Sequence, residues 1–152
     1  MKSMARASDK AEIVRRLETV RPECTARWGR MSAHQMVCHL SDSFRHVTQQ
    51  KQASPATSVL QATIVKWIAL YAPLRWPRGV PTRPEMDQEA GGTAPGDFAA
   101  DLAELESLLE IVTTQSKDYA WPSHPLFGRM SEGAWMRWAY LHMDHHLRQF
   151  GL

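Results

Sequence analysis

Histidine and aspartate make up four of the eight residues from 142 to 149, close to the C-terminus. On an α-helix of 3.6 residues per turn, His142 and His146 point to nearly the same side. Two imidazoles at this spacing can bind one metal ion. The alternative is that both are ordinary hydrogen-bonded histidines, which are frequent on amphipathic helices.

A metal ion that takes part in chemistry needs a third protein ligand and an open coordination position. His39, in an earlier amphipathic segment, is the best candidate for the third ligand. His46 follows on the same helical face and is alternatively a substitute ligand, a base in a pocket or a surface residue. Three neutral imidazoles favour Zn, Ni or Fe over Mg or Ca, which prefer oxygen ligands.

Residues that flank the C-terminal pair could orient an imidazole through its second nitrogen, or hold an anionic group of a substrate. The catalytic candidates of this kind are Asp144, His145 and Arg148. Gln149, one turn after His146, could also orient that ring. For Arg148, a surface salt bridge is an equally good interpretation.

Other histidines and the cysteines are expected to have structural roles. His34 lies in the first turn of its helix and is expected to be exposed, whereas His124, in a loop, is expected to make a structural hydrogen bond. Cys24 and Cys38 have neither CxxC spacing nor the density of a disulfide scaffold, which favours a reducing, cytoplasmic location. We expect Cys38 to be a small buried residue.

Composition is typical of one soluble globular domain over residues 1–152, with 43% hydrophobic and 22% charged residues. The net charge of +2 and the scattered Lys and Arg residues argue against nucleic-acid binding. The N-terminus lacks the apolar core of a signal peptide. The longest apolar stretch, residues 67–74, is far too short to span a bilayer, so no membrane partner is expected.

Five helical segments with no strand alternation predict an all-α helical bundle. The third segment carries Leu60, Ile64, Trp67, Ile68 and Tyr71 at helical spacing. The segments cover about residues 9–20, 32–50, 58–71, 98–112 and the region after 131, with Ser32, Asp97 and Ser131 as N-caps.

A long crossover rich in proline and glycine extends from Pro73 to Gly96. Irregular connections of this length are usually functional. Its Trp76, Arg78 and Arg83 could supply an apolar wall and cationic groups for an acidic thiol or a carboxylate substrate.

Two motifs resemble the DinB/YfiT-like superfamily, and in particular a branch of it described mainly as a domain of unknown function. The C-terminal motif combines residues 124–128, Glu132, Trp135 and residues 142–151. The other motif, residues 28–40, is similar to the first His motif of that branch. Together the two motifs cover about a third of the chain.

The resemblance implies a four-helix bundle of DinB/YfiT-like type, here with an extra short helix, and a metal held by His39, His142 and His146. Characterised relatives include thiol-dependent transferases and isomerases that use mycothiol, bacillithiol or glutathione, in which the metal is expected to activate the thiol. We therefore expect a metal-dependent transferase or hydrolase of small molecules. The alternative is a non-catalytic, stress-related metal-binding bundle.

A homodimer is also expected. The six Trp residues and the long crossover offer apolar surface that a partner could bury. Relatives of the superfamily are often dimeric.

Overall fold

A computed structural model describes all 152 residues and contains five α-helices and no β-strand, which confirms the predicted all-α class. The helices are α1 (Ala7–Leu17), α2 (Ala33–Val47), α3 (Lys66–Tyr71), α4 (Phe98–Thr113) and α5 (Glu132–Gln149). A π-helical turn (Gln61–Val65) leads into α3, and the crossover contains one 3-10 turn (Pro84–Met86). None of the helices is both long enough and apolar enough to cross a bilayer.

The start of α2 is fixed by the predicted capping box. The Ser32 side chain accepts a hydrogen bond from the Gln35 backbone, and the Gln35 side chain accepts one from the Ser32 backbone. The side chains of Asp97 and Ser131 cap α4 and α5 by accepting from the Ala100 and Ala134 backbone, without the return bond. The end of α2 comes three residues earlier than predicted, where Gln49 adopts a left-handed conformation with a φ of +62°.

The core lies between these helices. α2 packs along α4, and α1 packs along α5. Phe44 and Leu40 of α2 are fully buried in one hydrophobic cluster together with Leu105 of α4 and Trp135 of α5. The helices that carry His39 and the C-terminal pair are therefore held by the same core.

The third predicted segment is helical, but its apolar stripe faces solvent. Leu60, Ile64 and Trp67 are each more than half exposed, whereas Leu70 is fully buried on the opposite side. This inner side also carries the small residues Ala62 and Ala69, and α3 contacts α5. Helical spacing predicted the helix, but it did not determine which face packs inward.

Asp42 anchors the crossover to α2. Its carboxylate is fully buried and accepts hydrogen bonds from the Thr93 backbone and hydroxyl, both at 2.7 Å, and from Lys51 and Arg45, both at 2.8 Å. Burial by itself would raise the pKa of Asp42, but these donors hold the pKa below its ordinary value. The far end of the crossover is thus fixed next to the helix that carries His39.

Candidate metal centre

The structure brings together His39 from α2 with His142 and His146 from α5. The Nε2 atoms of His39 and His142 are 3.2 Å apart, and all three side chains offer ring nitrogens within 4.8 Å of one another. Each of the three residues is buried. The pair predicted from i, i+4 spacing therefore meets the predicted third histidine from the facing helix.

Neighbouring carbonyl groups fix the tautomers of two of these rings. The Nδ1 atom of His39 donates a hydrogen bond to the backbone carbonyl of Met86 at 2.9 Å. The Nδ1 atom of His146 donates to the side-chain carbonyl of Gln149, also at 2.9 Å. Because a carbonyl oxygen only accepts, both Nδ1 atoms carry the proton and both Nε2 atoms present a lone pair.

Gln149 is itself held in one orientation. Its side-chain NH₂ group donates to the Trp28 carbonyl at 2.8 Å, so that its oxygen faces His146. A Cβ atom at Gly29 would come within 2.7 Å of that nitrogen, and Gly29 has a φ of +81°. Glycine at this position therefore gives the loop both the backbone conformation and the space to reach Gln149.

A metal ion fits between the rings. In a tetrahedral site with metal–nitrogen distances of about 2.0–2.1 Å, two ligand nitrogens lie about 3.3 Å apart, close to the 3.2 Å between His39 and His142. Burial lowers the pKa of all three histidines, and repulsion from neighbouring rings adds to this effect at His142 and His146. The neutral imidazole is the form that binds metal.

The three rings form part of the wall of a cavity of about 850 Å³. Its aromatic lining includes Phe127 and four tryptophans, Trp28, Trp76, Trp135 and Trp138. Arg83 lines the cavity as well, and its Nε atom is buried without a hydrogen-bond partner. The centre therefore faces an aromatic space with a cationic group on its wall.

The crossover forms much of the cavity wall. Trp76, Arg83 and Met86 all line the cavity, and Met86 also orients His39 through its carbonyl. Arg78 lies outside this lining, with its guanidinium group 4.4 Å from the centre of the Trp28 ring. The sequence did not indicate that the crossover would contact a histidine of the centre.

Of the three flanking candidates, one faces the cavity. His145 lines it, beside Trp28 and Trp76, and its Nδ1 atom is buried without a partner. Asp144 lies outside the main cavity and pairs with Arg16 and Arg148, both at 2.8 Å. The salt-bridge interpretation of Arg148 is confirmed, and Gln149 is the flanking residue that orients a ring.

Two further histidines line the cavity without joining the centre. His46 has its ring nitrogens within 3.3 Å of the Lys51 carbonyl and 3.1 Å of the Ser123 carbonyl. The Nδ1 atom of His124 accepts hydrogen bonds from the backbone of Leu126 and Phe127, both at 3.1 Å, which confirms its predicted structural role. Burial lowers the pKa of His124 to about 3.

A second cluster of potential ligands joins α2 to α4. His34 Nε2 lies 2.7 Å from one carboxylate oxygen of Asp101, and the thiol of Cys38 and the Gly96 backbone donate to that same oxygen. Burial raises the pKa of Cys38 to about 12, so the thiol stays protonated. The expectation that His34 is exposed was wrong, because Asp101 of α4 covers it, whereas Cys38 is buried as predicted.

The chain was compared with known protein families, curated proteins and solved structures. No curated protein and no solved structure shows a significant match. Residues 3–151 match a family described as a protein of unknown function (DUF1569). Because this match spans nearly the whole sequence, the chain belongs to the DUF1569 family.

Proposed function

We propose that His39, His142 and His146 bind one divalent transition-metal ion, namely zinc, nickel or iron, and that the protein is a metal-dependent enzyme acting on small molecules. The observation that carries this proposal is the pair of fixed tautomers. The Met86 carbonyl and the Gln149 amide hold the protons on the Nδ1 atoms of His39 and His146, so that both Nε2 atoms present a lone pair beside His142.

The proposal includes membership of the DinB/YfiT-like superfamily and its four-helix-bundle architecture. It is supported by the origin of the three histidines, one from α2 and two from α5, which is the distribution that the resemblance implies. Both cysteines are unpaired, which is compatible with the proposed cytoplasmic location.

Three protein ligands leave an open position for chemistry. A bound ion would supply a Lewis acid that lowers the pKa of a coordinated thiol or water. A thiol-dependent transferase or a hydrolase of small molecules is therefore the reaction class that we propose. The chain itself provides the other functions: the Trp side chains form an apolar wall of the cavity, and Gln149 and the Met86 carbonyl keep His146 and His39 in position.

Arg83 is the residue best placed to hold an acidic substrate. Its guanidinium group donates to the Ser54 hydroxyl, while its buried Nε atom has no partner. A buried donor without a partner is costly unless a ligand satisfies it. A carboxylate of a low-molecular-weight thiol or of its co-substrate could accept from the guanidinium group where Arg83 lines the cavity.

The test combines metal titration with an activity screen. Metal-free protein is titrated with Zn²⁺ and Co²⁺, and the same samples are assayed for conjugation of glutathione or bacillithiol to an electrophile and for ester and amide hydrolysis. We expect one ion per chain and metal-dependent turnover in the wild type. His146→Ala should lose both, whereas the matched variant His34→Ala should keep both, because His34 pairs with Asp101 outside the centre.

Two results would contradict parts of the proposal. If His146→Ala binds Zn²⁺ as tightly as the wild type, the ligand assignment is wrong. If the ion binds at the three histidines and raises the melting temperature but no turnover appears with any thiol or hydrolytic substrate, the ion only stabilises the bundle. The second result would favour the non-catalytic alternative.

A further inference from the structure

One surface of the protein exposes an unusual amount of apolar side chain. Nine of the eleven exposed large hydrophobic residues lie between positions 59 and 80. We call these nine the apolar patch: Val59, Leu60, Ile64, Val65, Trp67, Ile68, Tyr71, Leu74 and Val80. So many exposed apolar side chains on one helix and the loop after it indicate an interaction surface.

The patch belongs to an amphipathic helix whose apolar side points outward. Trp67 is 61% exposed and Ile64 58%, while Leu70, on the other side, is fully buried. The whole region is therefore anchored to the bundle by its inner face. The outer face, with an aromatic residue at Trp67 and another at Tyr71, has the composition of helices that lie in a membrane interface.

The apolar patch also has basic residues beside it, of which Lys66, Arg75 and Arg78 make no salt bridge, whereas Lys51 pairs with Asp42 and Arg83 lies in the cavity wall. Residues 51–84 contain five Lys and Arg residues and no Asp or Glu, although the chain as a whole has 18 basic and 16 acidic residues. Arg75 and Arg78 are exposed and pair with no carboxylate. Lys66 donates only to the Arg129 carbonyl. Basic residues beside an apolar helical face are complementary to anionic lipid headgroups.

A second copy of the chain is a poor partner for the apolar patch. In a two-fold dimer each surface meets the same surface of its partner. Each copy would then bring its own Arg75 and Arg78 into the shared interface, and the segment 51–84 has no carboxylate to pair with them. Charge complementarity therefore favours a partner that is negatively charged and apolar at once.

We propose that the apolar patch and the basic residues beside it dock this protein on an anionic lipid bilayer. The patch inserts its apolar side chains among the lipids, and Arg75 and Arg78 contact the headgroups. This differs from the expectation, drawn from the shortness of the apolar stretch, that no membrane is involved. A helix that lies on a bilayer does not need the length of one that spans it.

The position of the cavity agrees with such a surface. Val65, Ile68, Leu74 and Val80 belong to the patch and also line the cavity. The cavity therefore opens where the bilayer would lie, and its contents would exchange with the lipid surface. The docking itself does not depend on a metal or on catalysis.

Vesicle sedimentation tests the proposal directly. The protein is mixed with vesicles of phosphatidylcholine alone or of phosphatidylcholine with phosphatidylglycerol, at low and at high salt. We expect binding to the anionic vesicles that weakens at high salt. The double variant Ile64→Gln/Trp67→Gln should lose at least about tenfold in affinity, because two apolar side chains no longer insert. Ile111→Gln, which changes an exposed isoleucine on α4, is the matched control and should bind like the wild type.

Arg75→Gln/Arg78→Gln should abolish the preference for phosphatidylglycerol. A measurement on the unaltered protein adds an independent readout: brominated lipids should quench its tryptophan fluorescence. Absence of wild-type binding to either vesicle, or equal binding by the patch variant, would overturn the proposal. It would also be overturned if light scattering showed a wild-type dimer that the patch variant converts to a monomer without any vesicle binding.

Discussion

The side-chain oxygen of Gln149 lies 2.9 Å from Nδ1 of His146, and the same amide donates to the Trp28 carbonyl at 2.8 Å. The loop before α2 thus determines how a ring on α5 is oriented. Because the Gln149 amide has one orientation, His146 has one tautomer, with its Nε2 lone pair towards His39 and His142.

Removing this support should weaken metal binding without removing a ligand. Gln149→Leu loses the contact to His146, and we expect a 10- to 100-fold loss of Zn²⁺ affinity, the usual effect of losing such a support. Gln149→Glu still accepts from Nδ1 of His146 and should retain more of the affinity. Competition titration with a zinc indicator measures both variants. Equal affinities for the wild type and Gln149→Leu would show that the contact does not position the ring.

A substitution at Arg83 should weaken substrate binding without changing metal binding. If its guanidinium group holds an acidic substrate, Arg83→Gln raises KM for that substrate about tenfold or more, the typical effect of losing a charge-assisted hydrogen bond. The metal content should stay at the wild-type level, because the hydrogen bond that Arg83 makes goes to Ser54 and not to any of the three histidines. An unchanged KM, or a loss of metal, would assign Arg83 a purely structural role. Steady-state kinetics together with metal analysis distinguish these results.

Shortening the whole crossover is a less selective change than the sequence indicated. From the sequence we expected the crossover to supply a wall and cationic groups for a substrate. The Met86 carbonyl orients His39, however, and Thr93 binds Asp42. Removing these residues would therefore disturb the centre as well as the cavity wall.

Of the contacts that anchor the crossover to α2, those of the buried Asp42 carboxylate should contribute most to stability. Asp42→Ala leaves Lys51 and Arg45 without their buried partner, and we expect a loss of about 3–5 kcal/mol in the free energy of unfolding. Glu104→Ala is the matched control, because Glu104 also pairs with Arg45 but is 45% exposed. Glu104→Ala should lower the free energy of unfolding by less than about 1 kcal/mol. Urea denaturation measures the unfolding free energy of both variants. Similar losses for Asp42→Ala and Glu104→Ala would contradict the anchoring role of Asp42.

Acid should destabilise the metal-free protein partly through His124. Its pKa is about 3 when folded and close to 6.5 when unfolded, so the unfolded chain takes up a proton first as the pH falls. The stability that neutral His124 contributes is complete above pH 6.5 and is lost between about pH 6.5 and 3. The difference between these two pKa values corresponds to at most about 5 kcal/mol of unfolding free energy.

His124→Asn isolates this contribution. The asparagine oxygen can accept from the Leu126 and Phe127 backbone as Nδ1 does, but it does not titrate. We expect a lower stability at neutral pH, because the ring packing is lost, and a shallower decline of the unfolding free energy with acid. Identical slopes for the wild type and the variant would contradict the pKa assignment. Urea denaturation at several pH values provides the measurement.

Local sequence signals predicted the helices of this fold well. Ser32, Asp97 and Ser131 begin helices as predicted, because capping depends on a few adjacent residues. The orientation of the third helix could not be predicted in the same way. The stripe at Leu60, Ile64 and Trp67 looks like a core face by spacing, but the inner face is the one with small residues and Leu70.

The three histidines were predictable because the i, i+4 pair and the two motifs are local patterns. The groups that orient these histidines are of two kinds. Gln149 lies one turn from His146 and could be proposed from the sequence, whereas the Met86 carbonyl is a backbone group 47 residues away from His39. The pairing of His34 with Asp101 depends in the same way on the packing of α2 against α4. No sequence pattern marks contacts of this kind.

Anomalous diffraction from crystals grown with Zn²⁺ tests the central claim most directly. We predict one peak per chain, about 2.0–2.1 Å from the Nε2 atoms of His39, His142 and His146, with its open side towards the cavity. A peak only at His34, Cys38 and Asp101, or no peak at the three histidines at saturating zinc, would contradict the account.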